Sequence, residues 1–229
     1  MTPCMSEVRG LEEAKRALEI AAVGGHNVLM IGPPWSGKTM LARRFPTILP
    51  EPSTAEQELF ARRAARLKLE STGDRPFRTP HYTVSSRGLL GELLLAEGGV
   101  LYLHEVNFFN LQAVSRLPST AQIIASITPE EAKAEVLTKI IRDLDIQVIV
   151  ELSPGSSDEW HTLPTGETSL AIRARVTEAR AYRAQRGALY ESYREDALGA
   201  CNLVARSIAD LARREPWMKD VEEAQGLTR

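Results

Sequence analysis

The stretch that decides the fold is Gly-Pro-Pro-Trp-Ser-Gly-Lys-Thr at residues 32–39. It fits the pattern G-x-x-x-x-G-K-[ST], and the apolar run before it, 27–31, predicts a buried strand. Residues 40–44 contain no helix breaker and predict the first turns of a helix. Strand, loop and helix in this order indicate a P-loop, because its backbone N–H groups and the helix N-terminus can surround phosphate oxygens.

This motif predicts eight residues that bind a nucleotide. They are Gly32, Pro33, Pro34, Trp35, Ser36, Gly37, Lys38 and Thr39. Lys38 would contact the β- and γ-phosphates, and the Thr39 hydroxyl would be a ligand of Mg²⁺. The bulky ring of Trp35 must either point outward or crowd the phosphates. The alternative, an incidental glycine-rich turn, does not account for the strand and helix on either side.

Composition sets outer limits on function. The chain has 229 residues, of which 43% are hydrophobic and 25% charged, as in an ordinary soluble globular protein. Its net charge of −2 gives no overall attraction to nucleic acid or acidic membranes. No signal-peptide layout and no bilayer-length apolar stretch are present in the sequence. We therefore expect a cytoplasmic protein with no membrane contact, whose Cys4 and Cys201 are reduced.

Helical and strand-like patterns alternate in the first two thirds of the chain. Predicted helices occupy 10–24, the segment from the P-loop to Pro46, 54–70 and 130–141, and predicted strands occupy 27–31, 100–103, 121–127 and 146–150. A breaker-rich stretch covers 71–86. This alternation favours a parallel α/β sheet flanked by helices.

A second turn-rich stretch, 153–167, predicts a linker, and helix-forming sequence follows it. The predicted domains are therefore a P-loop α/β core at 1–160 and a small all-α lid at 161–229.

The second nucleotide motif is altered. P-loop ATPases usually place an acidic residue that supports Mg²⁺ at the end of a neighbouring strand, and in many of them a Glu that polarises the attacking water follows. After Val100–Leu103, this chain has His104 and Glu105. Glu105 fits the second role, but a neutral imidazole has one acceptor and no negative charge. The motif therefore predicts that hydrolysis suffers more than binding. A transition-metal site at His104, with His81 or Glu105, is an alternative without a fixed ligand spacing.

Taken together, these segments resemble the magnesium-chelatase-like AAA+ ATPases, in particular the ComM-type branch. The resembling segments are 6–10, 14–22, 24–27, 75–83, 172–176 and 205–211, in the family's order. The resemblance implies an AAA+ fold, ATP and Mg²⁺ as ligands, and a homo-oligomeric ring, a hexamer in the family. For the ComM branch it implies work on DNA, and for the chelatase branch Mg²⁺ insertion into a porphyrin with partner subunits.

The resemblance also implies a polar sensor role for Thr128, and it has departures. Arg142 is one position away from the family's arginine, and Asp196 lies near the expected lid arginine. The family's hairpin between Glu105 and Ala121 is shortened, and the amino-terminal domain of ComM-type proteins has no counterpart. We therefore expect a truncated and divergent member.

Three functions stay open at this point. The first is an AAA+ module that couples ATP binding or hydrolysis to remodelling of DNA or a protein partner, with Glu105 and Thr128 as catalytic residues. The second is a nucleotide-binding pseudo-ATPase, a switch or assembly subunit with little or no hydrolysis, which His104 favours. The third is a degraded fragment with no activity of its own.

Two basic segments are candidate contacts for DNA phosphates. They are Arg173, Arg175, Arg180, Arg183 and Arg186, and Arg43, Arg44, Arg62, Arg63, Arg66 and Lys68. A solvated helix face or a subunit contact is the favoured alternative for either one. Neither segment has interleaved aromatic residues that could stack exposed bases.

Overall fold

The computed structural model describes residues 3–66, 73–114, 119–153 and 167–194. Within them, five strands form one parallel sheet in the order β2-β3-β4-β1-β5. The strands are β1 (Asn27–Ile31), β2 (Phe77–Arg78), β3 (Val100–Leu103), β4 (Gln122–Ile127) and β5 (Ile146–Glu151). The predicted parallel α/β sheet is confirmed.

Six α-helices accompany the sheet in the described part of the chain. They are α1 (Glu12–Gly24), α2 (Lys38–Arg44), α3 (Thr54–Arg66), α4 (Ser86–Ala96), α5 (Ala134–Asp143) and α6 (Ser169–Arg194). Short 3₁₀ turns lie at Met5–Glu7, Phe45–Ile48, Val106–Phe108 and Leu111–Ala113.

Two elements were not predicted, and one helix boundary was wrong. The edge strand β2 lies inside the breaker-rich stretch 71–86, and α4 begins where that stretch ends. Ser85 caps the N-terminus of α4, because its Oγ accepts a hydrogen bond from the backbone N–H of Gly88 at 3.1 Å. The helix predicted at 130–141 begins only at Ala134, after a turn.

The sheet separates two layers of core. Along β3 the side chains alternate, so that Val100 and Tyr102 pack into one layer while Leu101 and Leu103 pack into the other. The first layer includes α1, α2 and the beginning of α6, and the second includes α4 and α5. Each large apolar side chain that is fully buried in this way contributes about 1.5–3 kcal/mol.

The chain divides into two compact units, Met1–Arg180 and Ala181–Arg229. The first unit contains the whole sheet and α6 as far as Arg180. In the second unit only the end of α6 is described, and most of the predicted lid, 195–229, lies outside the described residues together with most of the predicted linker, 154–166. The all-α lid therefore stays a prediction. None of the helices in the described ranges combines the length and apolar character that a membrane crossing requires.

The arginines at the start of α6 make contacts within their own chain. Nε of Arg173 donates to the Thr47 carbonyl at 2.9 Å, and Nε of Arg175 donates to Glu19 Oε1 at 2.8 Å. Nε of Arg180 donates to the Ala22 carbonyl at 2.7 Å. These contacts hold α6 against the first layer. These three arginines are therefore not simply a solvated helix face, and a contact of this segment with DNA or with another subunit stays a prediction.

Part of the second basic segment is paired as well. Arg44 lies 2.6 Å from a carboxylate oxygen of Glu7, and Arg63 pairs with Glu97. Fewer cations are therefore available for phosphate contacts than the sequence indicates.

Candidate functional site

The P-loop lies at the carboxyl end of β1, between the ends of β4 and β5, where ligands bind in parallel sheets. Two of its glycines are required by the local geometry. A Cβ on Gly32 would lie 2.9 Å from the Leu152 carbonyl oxygen, too close for any other residue. Gly37 is the N-terminal cap of α2 and has φ of +91°, a conformation that favours glycine.

Lys38 is buried at the base of the loop. Its Nζ donates hydrogen bonds to the carbonyl oxygens of Gly32 at 2.5 Å and Pro33 at 2.7 Å. Burial lowers the pKa of Lys38, while the negative charges of Glu105 and Glu130 act in the opposite direction. Among the described residues, the hydrogen-bond partners of this ammonium group are uncharged carbonyls. An anionic ligand would bind it more strongly.

Ser36 supplies independent support for a phosphate ligand. Its Oγ is buried, and it has no hydrogen-bond partner among the described residues. A buried hydroxyl without a partner costs free energy that a ligand oxygen can recover. The loop therefore fits a phosphate group.

Trp35 takes the outward orientation of the two that the sequence allowed. Its residue is 97% exposed, and its backbone has φ of +65°. The ring therefore leaves the inside of the loop free for phosphate oxygens.

The loop forms one wall of a cleft of about 850 Å³. Its lining consists of Glu7, Arg9, Leu11, residues 34–40, His104 and Glu105. The three residues that precede α1 were not predicted as site residues. Gly10 and Leu11 both have positive φ, so the backbone turns here and brings this segment to the P-loop. The sequence signal was Gly10 as a turn residue, but nothing in the sequence pairs that turn with the P-loop.

Glu105 follows β3 by two residues and lines the same cleft as Lys38 and Thr39. Its backbone is left-handed, with φ of 54°. Its predicted role in orienting water stays a prediction.

His104 belongs to a cluster of hydrogen-bonding side chains. Its Nδ1 lies 3.1 Å from Ser126 Oγ and 3.3 Å from the Tyr102 hydroxyl. The Tyr102 hydroxyl also lies 3.0 Å from Ser126 Oγ and 3.0 Å from Thr39 Oγ1. Burial raises the pKa of Tyr102, so its hydroxyl stays neutral. Tyr102 and Ser126 were not predicted as site residues, because in the sequence they look like ordinary strand residues.

Thr128 and Arg142 do not belong to the described lining of the cleft. Thr128 follows β4 at the same edge of the sheet, but it is not among the described residues that line the cleft. Arg142 has an exposed side chain, whose Nε donates to Asp143 Oδ1 at 3.0 Å. The sensor role of Thr128 therefore stays a prediction, and Asp196 lies outside the described residues.

The donor set fits Mg²⁺ better than a transition metal. Within the described ranges, no group of three or more His, Cys, Asp or Glu side chains could hold a metal ion. Thr39 offers one hard hydroxyl oxygen, and Glu105 brings a carboxylate into the same cleft. Mg²⁺ is often held by one or two protein oxygens together with phosphates and water, which suits this arrangement.

Comparison with known proteins agrees with this geometry. Residues 4–138, more than half of the chain, match the family described as magnesium chelatase, subunit ChlI. The chain belongs to this family. The uncharacterized protein YifB of Escherichia coli (strain K12) is 34% identical over 191 residues, which cover 76% of this chain and 36% of YifB. Competence protein ComM of Haemophilus influenzae is 30% identical over 239 residues, which cover 82% of this chain and 47% of ComM. The chain thus spans less than half the length of these relatives.

Solved structures resemble the chain more distantly. The Thermotoga maritima RuvB Holliday junction branch migration motor has a TM-score of 0.43 and 22% identity, covering 68% of this chain and 49% of RuvB. A magnesium chelatase structure with subunits BchI and BchD has a TM-score of 0.44 and 23% identity, covering 92% of this chain and 76% of the matched one. The family match, the P-loop and the parallel sheet together identify the chain as an AAA+ P-loop α/β protein.

Proposed function

We propose that this chain binds ATP with Mg²⁺ and couples ATP binding or hydrolysis to remodelling of DNA or a protein partner, as part of an oligomeric ring. One observation carries the nucleotide part of the proposal. Lys38, Thr39 and Glu105 come from two separate segments of the chain, and all three line the same cleft.

The residues of the cleft divide the work of binding. The Lys38 ammonium would exchange the carbonyls of Gly32 and Pro33 for oxygens of the β- and γ-phosphates, while the Ser36 hydroxyl and the loop N–H groups donate further hydrogen bonds. When bound through Thr39, Mg²⁺ would neutralise charge on the phosphates. Glu105 would hold a proton of the attacking water, a contribution of roughly 10²- to 10⁴-fold in rate.

Hydrolysis is proposed to be slow. His104 supplies no negative charge, and its Nδ1 is already engaged by the hydroxyls of Tyr102 and Ser126. These contacts also favour the second candidate, a pseudo-ATPase that acts as a switch or an assembly subunit. The two candidates differ in turnover and agree on binding.

The partner part of the proposal rests on a group of exposed aromatic rings beside the cleft. The rings of His81 and Tyr82 are 4.2 Å apart between centroids, and those of Tyr82 and Phe108 are 5.5 Å apart. All three residues are exposed, and the backbone N–H of Phe108 donates to the Glu105 carbonyl at 3.1 Å. Exposed rings can stack on bases, so this group is a candidate contact for a single-stranded DNA partner.

Calorimetry and a phosphate-release assay test the nucleotide part. We expect ATP to bind the wild-type protein in the presence of Mg²⁺ and to bind Lys38→Ala at least about 100-fold more weakly, since a buried charged contact is lost. Lys139→Ala removes an exposed lysine from α5 and serves as the matched control. Binding with steady phosphate release supports the ATPase, and binding without release supports the switch. If the wild-type protein binds no ATP, the proposal fails and the degraded fragment is the better description.

Fluorescence anisotropy with labelled oligodeoxythymidylate tests the partner part. We expect the double variant with Tyr82→Ser and Phe108→Ser to bind about 10-fold or more weakly, since each stacked base contributes about 1–3 kcal/mol. Leu59→Ser alters an exposed apolar residue on α3 and is the control. If the wild-type protein fails to bind DNA at low salt, the protein partner replaces DNA in the proposal.

A further inference from the structure

We propose that the Tyr102 hydroxyl orients Thr39 for Mg²⁺, in place of the carboxylate that other P-loop ATPases have at the position of His104. Tyr102 is then a positioning residue, because it would act on the metal through Thr39. This inference rests on the proposed ATP and Mg²⁺ site and adds the residue that replaces the missing carboxylate.

The sheet brings the required groups together. Tyr102 lies on β3 and Ser126 on β4, which is the neighbour of both β3 and β1. Thr39 lies in the first turn of α2, which follows β1 and the P-loop. The Tyr102 hydroxyl is 3.0 Å from Thr39 Oγ1, 3.0 Å from Ser126 Oγ and 3.3 Å from His104 Nδ1. One hydroxyl therefore joins the P-loop helix to the residue at the carboxylate position.

The hydrogen bonds among these groups can all run in a direction that leaves Thr39 able to bind a cation. A hydroxyl has one proton to donate and two lone pairs to accept. If Thr39 donates to Tyr102, Tyr102 donates to Ser126 and Ser126 donates to Nδ1 of neutral His104, every proton has an acceptor. The lone pairs of Thr39 then remain available for a cation. In an ordinary site a carboxylate accepts the threonine proton, and here a neutral relay accepts it.

Packing alone does not account for the hydroxyl. Tyr102 is 1% exposed, and its ring stacks on Phe77 at a centroid distance of 6.2 Å. Phenylalanine would fill the same space. Among the described residues, the three hydrogen-bond partners of the hydroxyl are polar groups of the candidate site. Tyr102→Phe therefore separates the positioning role of the residue from its packing.

The test compares ATP binding in Mg²⁺ with ATP binding in EDTA by calorimetry. For Tyr102→Phe we expect unchanged affinity in EDTA and a roughly 5- to 10-fold smaller enhancement by Mg²⁺, the effect of one hydrogen bond. Thr138→Ala removes an exposed hydroxyl on α5 that donates to the Ala134 carbonyl, and it should leave the enhancement unchanged. An unchanged enhancement in Tyr102→Phe, or equal losses in Mg²⁺ and in EDTA, would overturn the inference.

The same comparison in a second variant, His104→Asp, is a further test of the relay. In His104→Asp the Tyr102 hydroxyl still lies between Thr39 and residue 104, so adding Tyr102→Phe there should again lower the Mg²⁺ enhancement about 5- to 10-fold. No decrease in that background counts against the relay. If Tyr102→Phe does not fold, the double variant with Ser126→Ala and His104→Leu removes both acceptors of the Tyr102 proton without changing the ring, and an unchanged enhancement in that variant overturns the inference as well.

Failure of the proposed function gives a different result. A wild-type protein that ignores ATP both in Mg²⁺ and in EDTA contradicts the nucleotide site itself. A wild-type protein whose ATP affinity rises with Mg²⁺, beside a Tyr102→Phe variant with the same rise, contradicts only the role of Tyr102.

Discussion

Replacing His104 with Asp would place a carboxylate beside the hydroxyls of Tyr102 and Ser126, where the site now has an imidazole. The side chain of His104 is 53% exposed, so the smaller residue creates no buried cavity. Its Nδ1 lies 3.3 Å from the Tyr102 hydroxyl, which is itself 3.0 Å from Thr39 Oγ1. The new charge would therefore lie one hydroxyl away from the proposed metal ligand.

The size of the effect follows from this spacing. At a separation of roughly 6 Å and an effective dielectric constant of about 20, a carboxylate and a divalent cation attract by about 5 kcal/mol. Desolvation offsets part of this attraction, and so does repulsion by Glu105, whose Oε1 lies 3.8 Å from His104 Nε2. We expect a net gain of about 1.5–3 kcal/mol, or roughly 10- to 150-fold tighter binding of ATP in Mg²⁺.

Calorimetry in Mg²⁺ and in EDTA measures this gain, and phosphate release on the same samples measures turnover. His104→Asn is the matched control, because it has the shape of Asp without its charge. We expect His104→Asp to raise both Mg²⁺-dependent affinity and turnover, and His104→Asn to raise neither. Equal behaviour of the two variants would refute the electrostatic reasoning. Tighter binding without faster turnover would show that weak metal binding is not what limits hydrolysis.

Two further predictions concern the packing of the first unit. Hydrogen bonding to Arg175 holds the pKa of Glu19 below its ordinary value of about 4.5, so the stabilisation is complete above that pH and is lost as the pH falls through the lowered pKa. Arg175→Gln should cost about 1–2 kcal/mol of unfolding free energy at neutral pH and less in acid, measured by urea unfolding beside Arg62→Gln on the exposed face of α3; a pH-independent loss would contradict it. The backbone N–H of Ser169 lowers the pKa of Cys4 to about 7, so its alkylation rate by iodoacetamide, with the other cysteine replaced by Ser, should have a midpoint near pH 7, and a midpoint near 9 would exclude the contact.

Local patterns explain why much of the nucleotide site was predictable. The P-loop is contiguous, so its strand, glycines and helix could all be recognised from residues 27–44. Glu105 was predictable because it follows an apolar strand at a fixed offset. The edge strand β2 was not predictable, because two residues are too few to show a period. The helix α4 was not predicted, because helix-breaking residues precede it.

Charge is the property that the sequence described least well. Arg173, Arg175 and Arg180 form a basic stripe in the sequence, but their partners lie 126, 156 and 158 residues away along the chain. The aromatic group is similar, since Tyr82 and Phe108 come from different loops. Neither the contacts of these arginines nor the ring contacts could be inferred without the fold.

The sequence by itself determined that this chain has a parallel α/β core with a P-loop, and that His104 stands where a carboxylate is usual. Only the tertiary structure decided what surrounds that histidine. Thr39 and Tyr102 are 63 residues apart, and Tyr102 and Ser126 are 24 apart. They meet because β4 lies between β3 and β1, so that three carboxyl-terminal strand ends converge at one edge of the sheet. Strand order depends on contacts between distant segments, and a period or a motif reports only on near neighbours in the chain.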